Sequence, residues 1–276
     1  NGLPFIGYVF WFNLLATLAL FIVSVYKKEL PLLTWPHIRA YLLLGLVTVA
    51  VPVPLFTFLS DKLPIGIITL LLVLVPLLTY VMSYFLRIEK FRLSGVIGLL
   101  LGLGSLLFVL IPKTGLPAPE MLVWTLVALI APLCFALCNV FATILRPPGT
   151  SSLMMAAGMS AGATVLLAPV MVASGHVFVF PTATLDSNLP ILYAAAITVV
   201  DVVAWFAIVR ITGPVFFSQL NYFIVLSGFG WGYLLNDEQH SFYVWIATAF
   251  AFAGLAIFTR GAKNYEARAD APTAVP

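Results

Sequence analysis

Apolar residues run along this chain in blocks too long for the helices of a soluble domain and too continuous for strands. A helix needs about 20 apolar residues to cross the hydrocarbon core of a bilayer. Nine stretches reach that length: 4–26, 39–59, 64–86, 93–111, 119–145, 152–174, 189–209, 214–235 and 242–259. The polar positions fall between them, in segments such as "SDKLP", "RIEKFR", "PKTGLPAPE", "RPPGTSS" and "NDEQHS", all charged or rich in turn formers. An outer-membrane barrel would show segments of about ten residues with alternating polarity. These blocks are about twice that length and do not alternate, so the pattern predicts an all-α, polytopic membrane bundle. The tail 263–276 is polar, small and proline-containing, and is predicted to be disordered.

Composition strengthens this reading. Of the 276 residues 62% are hydrophobic and 8% charged, where a soluble domain carries roughly 25% charged residues. No basic cluster interleaved with aromatics points to nucleic acid. Enzyme chemistry finds no foothold either. His37, His176 and His240 are read as loop residues without metal-ligand spacing, no two carboxylates share a span, and no phosphate-binding glycine loop is present. Cofactors are accordingly not expected. Cys134 and Cys138, one turn apart in an apolar segment, read as packing residues.

The positions of the charges orient the chain. Alternating sides collect Lys27, Lys28, Arg39, Arg87, Lys90, Arg92, Arg146, Arg210, Arg260, Lys263 and Arg268 on one face of the membrane, and Lys62 and Lys113 on the other. Eleven against two is a positive-inside signal. It predicts a cytoplasmic C-terminus in the inner membrane and, with nine spans, residue 1 outside. The chain begins "NGLPFIGYVFWF", almost directly in a span, and one upstream helix is expected to be missing.

An internal repeat makes that expectation specific. At a separation of about 150 residues, Pro64 answers Pro214, Gly104 answers Gly254 and Phe108 answers Phe258; with a slip of one residue Tyr84 answers Tyr233 and Glu89 answers Glu238. The spans from 39 to 111 and from 189 to 259 are thus read as copies. An odd number of spans per repeat turns the second copy over in the membrane, the arrangement of alternating-access transporters with a site near the midplane. The expected organisation is a first half at 1–112, a second at 113–262, and the tail.

The stretches "DKLPIGIITLLLVLVPLLTYVMSYFLRIEKFRLSGVIGLLLGLGSLLFVL" and "ITGPVFFSQLNYFIVLSGFGWGYLLNDEQHSFYVWIATAFAFAGLAIF" carry a family resemblance. In each, a span, a short Glu-containing loop and a Gly-rich span follow one another. The chain resembles the EamA-type permeases of the drug/metabolite transporter superfamily. That resemblance implies ten helices in two inverted five-helix halves, nine of them present here, and a small-molecule substrate moved across the bilayer. Members often carry an arginine near the start of the second helix, where this chain has Phe12 and Asn13, so a substrate contact by that arginine does not transfer. Export of amino acids is one function the resemblance implies; others are transport of cofactors, nucleotide sugars or drugs. A non-transporting scaffold or a membrane enzyme is the reading from another class.

Asp201 is the first candidate for the site. It stands in "AITVVDVVAWF", at the centre of a span, where a charge costs at least about 2.5–3.5 kcal/mol. It must face a cavity, find a partner or be protonated, and no Lys or Arg lies in the interior of any other span to pair with it. A ligand for a substrate amine and a proton carrier are its two possible roles; a protonated side chain bonded to Thr198 is the structural alternative. Trp205, four residues on, shares its face and suits stacking or a cation–π contact as well as core packing. In "SQLNY", Ser218, Asn221 and Tyr222 share one helical face and Gln219 an adjacent one; interhelical hydrogen bonding is the competing role. Tyr80 and Asn139 complete the set. Pro52, Pro54, Pro76, Pro132 and Pro169 mark possible kinks, and "GMSAG" and "GLLLG" mark close helix approach.

Overall fold

The computed structural model describes residues 4–59, 62–63, 71–72, 74–110, 119–182 and 185–224, with shorter pieces at 227, 246, 249–250, 252–254, 256–258 and 260–261. All the regular elements among them are helical: α1 (Phe5–Tyr26), α2 (Trp35–Gly45), a π-turn (Leu46–Ala50), α3 (Pro52–Leu59), α4 (Leu74–Phe85), α5 (Leu93–Leu110), α6 (Pro119–Ala128), α7 (Ile130–Ile144), α8 (Ser152–Ala173), α9 (Leu185–Thr212) and α10 (Pro214–Ser218). Five segments among the described residues are long and apolar enough to cross a membrane: Phe5–Tyr26, Trp35–Leu59, Val123–Ile144, Ser152–Ala173 and Asn188–Thr212. The chain is a polytopic all-α membrane protein, as its hydropathy predicts. The other four predicted spans lie partly outside the described residues, and Glu238, Tyr233, His240 and the tail lie wholly outside them.

Prolines decide where two spans bend. Pro52 offers no N–H, and the helix ahead of it widens so that the Val51 amide reaches Leu46 O at 3.0 Å, a five-residue step. Pro132 leaves the carbonyl four residues before it unserved. The chain answers with a tight turn at Leu129, whose amide bonds Leu126 O at 3.2 Å, and the predicted span 119–145 divides into α6 and α7.

His37 departs from the expected loop. Pro36 in the first turn starts α2 at Trp35, which carries His37 into the helix and buries it. Its Nδ1 lies 2.7 Å from Thr34 Oγ1 and its Nε2 3.1 Å from Thr150 Oγ1. Nearby, Arg146 donates through Nε and Nη2 to Thr150 O and through Nη1 to Phe206 O, tying the loop before α8 to α9. Burial, and then the neighbouring Arg210, lower the Arg146 pKa.

Helix α8 is the hub, packed on α1, α2 and α9. Glycine makes the α2 approach possible. A Cβ on Gly162 would lie 2.6 Å from Tyr41 O, and one on Gly45 would lie 2.9 Å from Met159 O, so the two backbones touch where "GMSAG" predicts close approach. On the α1 side a polar strip replaces the glycines: Asn13 Nδ2 donates to Ser160 O at 2.9 Å and to Thr164 Oγ1 at 2.8 Å. Interhelical bonds in membranes each contribute about 0.6–2 kcal/mol, because the unfolded chain also finds partners. Asn13→Ala is therefore expected to lower the midpoint of SDS-induced unfolding modestly, by about 1 kcal/mol, without dispersing the bundle. The remaining helix faces present apolar side chains outward, Ile22 at 70% and Ile197 at 68% exposure among them, as a lipid-facing surface requires.

Candidate functional site

A cavity of about 760 Å³ lies among α2–α3, α7, α9, α10 and the turn after α10, within the size range of small-molecule sites. Helical spacing brings Asp201 and Trp205 of α9 onto its wall together, with Ala204 and Ile208. Helix α7 adds Phe135, Cys138 and Asn139, and the π-turn adds Thr48. Phe56 of α3 lies parallel to Phe135, ring centroids 5.8 Å apart at 22°.

Two of the polar groups hold others in place. The Trp205 indole Nε1 donates to Asn139 Oδ1 at 3.2 Å, a buried bond between α9 and α7. With Phe217 at 6.5 Å on its other side, the indole is fixed as one aromatic wall. Asn221 donates its Nδ2 to Ser218 O at 2.9 Å, which turns the Oδ1 end into the one left for a ligand. Asp201 is exposed on the cavity wall, and no hydrogen bond or ion pair engages it among the described residues. Thr198, the alternative partner, instead donates to Ala194 O at 2.7 Å.

Half of the candidate set stands elsewhere. Tyr80 clips the α4–α5 loop: its hydroxyl accepts from the Arg92 amide at 3.0 Å and its ring meets Phe258 edge-on. Ser218 is fully buried, its hydroxyl donating to Val215 O at 2.7 Å. Gln219 and Tyr222 are buried away from the cavity wall, and their side-chain polar atoms have no hydrogen-bond partner among the described residues. The physical reason is a break in phase. Helix α10 stops at Ser218, and the chain tightens to three-residue steps, Gln219 N to Phe216 O and Tyr222 N to Gln219 O, both 3.1 Å. A 3.6-residue period counted through this turn misplaces every side chain beyond it, and Asn221 alone of the four reaches the cavity.

Thr48, Cys138 and Ser227 are polar groups on the wall that the pattern did not single out. Cys138 is a free, buried thiol, as expected of a packing residue, and it also borders the cavity. Among the described residues no group of His, Cys, Asp and Glu is placed to hold a metal ion.

Comparison with known proteins bears on the whole chain. Residues 1–111 match the family model of the EamA-like transporters. No curated protein matches the chain. A solved crystal structure with 18% sequence identity superposes with a TM-score of 0.75, over 94% of this chain and 89% of that one. At that identity the likeness concerns the fold alone.

Proposed function

We propose that the chain moves a small metabolite across the bilayer by alternating access, with the substrate held in the cavity beside Asp201; the match of residues 1–111 to the EamA-like transporter model supports this reading. The family is one of membrane transporters rather than enzymes. The observation that carries the proposal is a carboxylate, without a partner among the described residues, on the wall of a mostly apolar cavity. A scaffold has no use for a charge that costs several kcal/mol to place there.

Helix pairing supports the two inverted halves, 1–112 and 113–262. Exchanging each helix for the one about 150 residues away turns the α2–α8 contact into the α9–α1 contact, and both are present. The α1–α8 pair maps onto itself. So does the pair of α5 with 254–258, where a Cβ on Gly98 would lie 2.6 Å from Gly254 O. A site on the axis between such halves is reached from either side as they rock. The charge asymmetry of the loops supports a cytoplasmic C-terminus, and the direction proposed is export.

The substrate is an amino acid or a metabolite of similar size, moved passively or with a proton carried by Asp201. The second reading is a cofactor, nucleotide sugar or drug, favoured by a volume well above that of one amino acid. The test is counterflow of labelled solutes in proteoliposomes, run as a panel of amino acids, sugars and flavins. Ala204→Trp, which fills the cavity from an exposed position on its wall, is expected to abolish counterflow while leaving the melting temperature within a few degrees. Counterflow undiminished by Ala204→Trp would remove the cavity from the transport path.

A further inference from the structure

Resting on the transporter reading of this cavity but on its second, drug-like substrate class and not on amino acids, we infer that its preferred occupant is an aromatic organic cation, and that zwitterions and anions with the same aromatic body are discriminated against. The charge balance of the wall is the first ground. Asp201 is its one ionisable carboxylate, and no Lys or Arg stands on it among the described residues.

The nearest cations are tied down or distant. Arg146 spends its guanidinium on Thr150 O, Phe206 O and Ser152 Oγ. Arg210, on the same helix as Asp201 and nine residues further along, is about 13 Å away by helical rise.

A substrate carboxylate entering this cavity would lose its hydration, find no counter-charge, and meet the Asp201 charge besides. A substrate amine would find the reverse. The neutral amides divide: Asn139 has its oxygen committed to the Trp205 indole and keeps its N–H, whereas Asn221 leans toward a cation. The Asn221 amide nitrogen is used on Ser218 O, and its oxygen remains. Discrimination thus comes from repulsion as well as attraction.

The aromatic groups are the second ground. Trp205 is locked by Asn139 and flanked by Phe217, and the Phe56–Phe135 pair lies across the same cavity. Faces of this kind attract a cation through the ring quadrupole and stack on an aromatic ligand. Trp205 also stands one helical turn from Asp201, so one ligand can meet carboxylate and indole together.

The experiment uses the full chain in proteoliposomes and three ligands sharing a phenylethyl body: phenethyltrimethylammonium, L-phenylalanine and 3-phenylpropionate. The first carries a fixed charge, so its state does not change with pH. Binding is read by equilibrium dialysis, alongside competition in the counterflow panel. Phenethyltrimethylammonium is expected to bind about tenfold or more tighter than the other two. Asp201→Asn is expected to erase that advantage, Asp201→Glu to keep most of it, and Trp205→Ala to weaken the aromatic ligands together.

Equal or tighter binding of L-phenylalanine or 3-phenylpropionate overturns the inference. So does a cation preference that survives in Asp201→Asn. If none of the three binds while another solute shows counterflow blocked by Ala204→Trp, the inference falls and the transporter reading stands. If the cation binds with the expected preference while no solute is exchanged, the charge preference of the site stands and the transporter reading falls.

Discussion

Asp201→Asn is expected to lower the initial rate of counterflow by about 10- to 100-fold, the loss of one charge-assisted contact in a sheltered site. The same substitution is expected to leave the protein as stable as before or more so. Asparagine keeps the shape of the side chain and removes a charge that costs at least about 2.5–3.5 kcal/mol in the middle of a span. Asp201 makes no hydrogen bond or ion pair among the described residues whose loss would offset that gain. Activity and stability should therefore move in opposite directions, which is what a functional carboxylate does and a structural one does not. Rates in the vesicles and the midpoint of thermal unfolding in detergent, measured on one preparation, decide the matter. A fall in both would make Asp201 a packing or hydrogen-bonding residue. A variant that exchanges normally but no longer follows a pH gradient would make it the proton site instead.

The largest effect on folding is expected at Gly162. Its Cβ would sit 2.6 Å from Tyr41 O and 2.8 Å from Tyr41 C, both backbone atoms that cannot swing away like the end of a side chain. Leucine there has to push α2 off α8, the contact on which Tyr41, Leu44, Met155 and Met159 are buried. Overpacking a site whose neighbours can yield costs about 1–3 kcal/mol. Here the neighbour is main chain, and the expected outcome is loss of the folded, monodisperse protein in size-exclusion chromatography. Gly162→Ala carries the same clash with one carbon and should survive with a lowered melting temperature. Gly104→Leu is the control: no described residue stands within 4 Å of its Cβ position, and the same mutation there should leave elution and melting unchanged. Equal damage at both positions would mean that glycine serves the helix backbone rather than the approach of α2 to α8.

Much of this protein is a direct consequence of its hydropathy. A backbone in lipid must satisfy its own hydrogen bonds, so an apolar block of spanning length has to be a helix, and the spans can be counted from the sequence. That is why Phe5–Tyr26 and Ser152–Ala173 come within a residue or two of their predicted limits. Asp201 was equally legible, because a lone carboxylate in such a block stands out whatever surrounds it. The glycine pair of "GMSAG" was legible for the complementary reason: four-residue spacing of the smallest side chain means close approach, even when the partner helix is unknown.

What the sequence left open was set by phase and by neighbours. The turn at Gln219 shifts the helical register by a fraction of a turn, and beyond it Asn221 reaches the cavity while Tyr222 does not. Tyr80 left the candidate set because the Arg92 backbone, twelve residues away, satisfies its hydroxyl. Thr48 entered the wall through a π-turn that a proline imposes on a span otherwise read as regular. Cys138 and Phe56 became wall residues only through the helices brought beside them. Spans and their one buried charge are properties of short windows of chain, and a window suffices to read them. A cavity is the space left between helices far apart in sequence, so its lining was decided only by the packing.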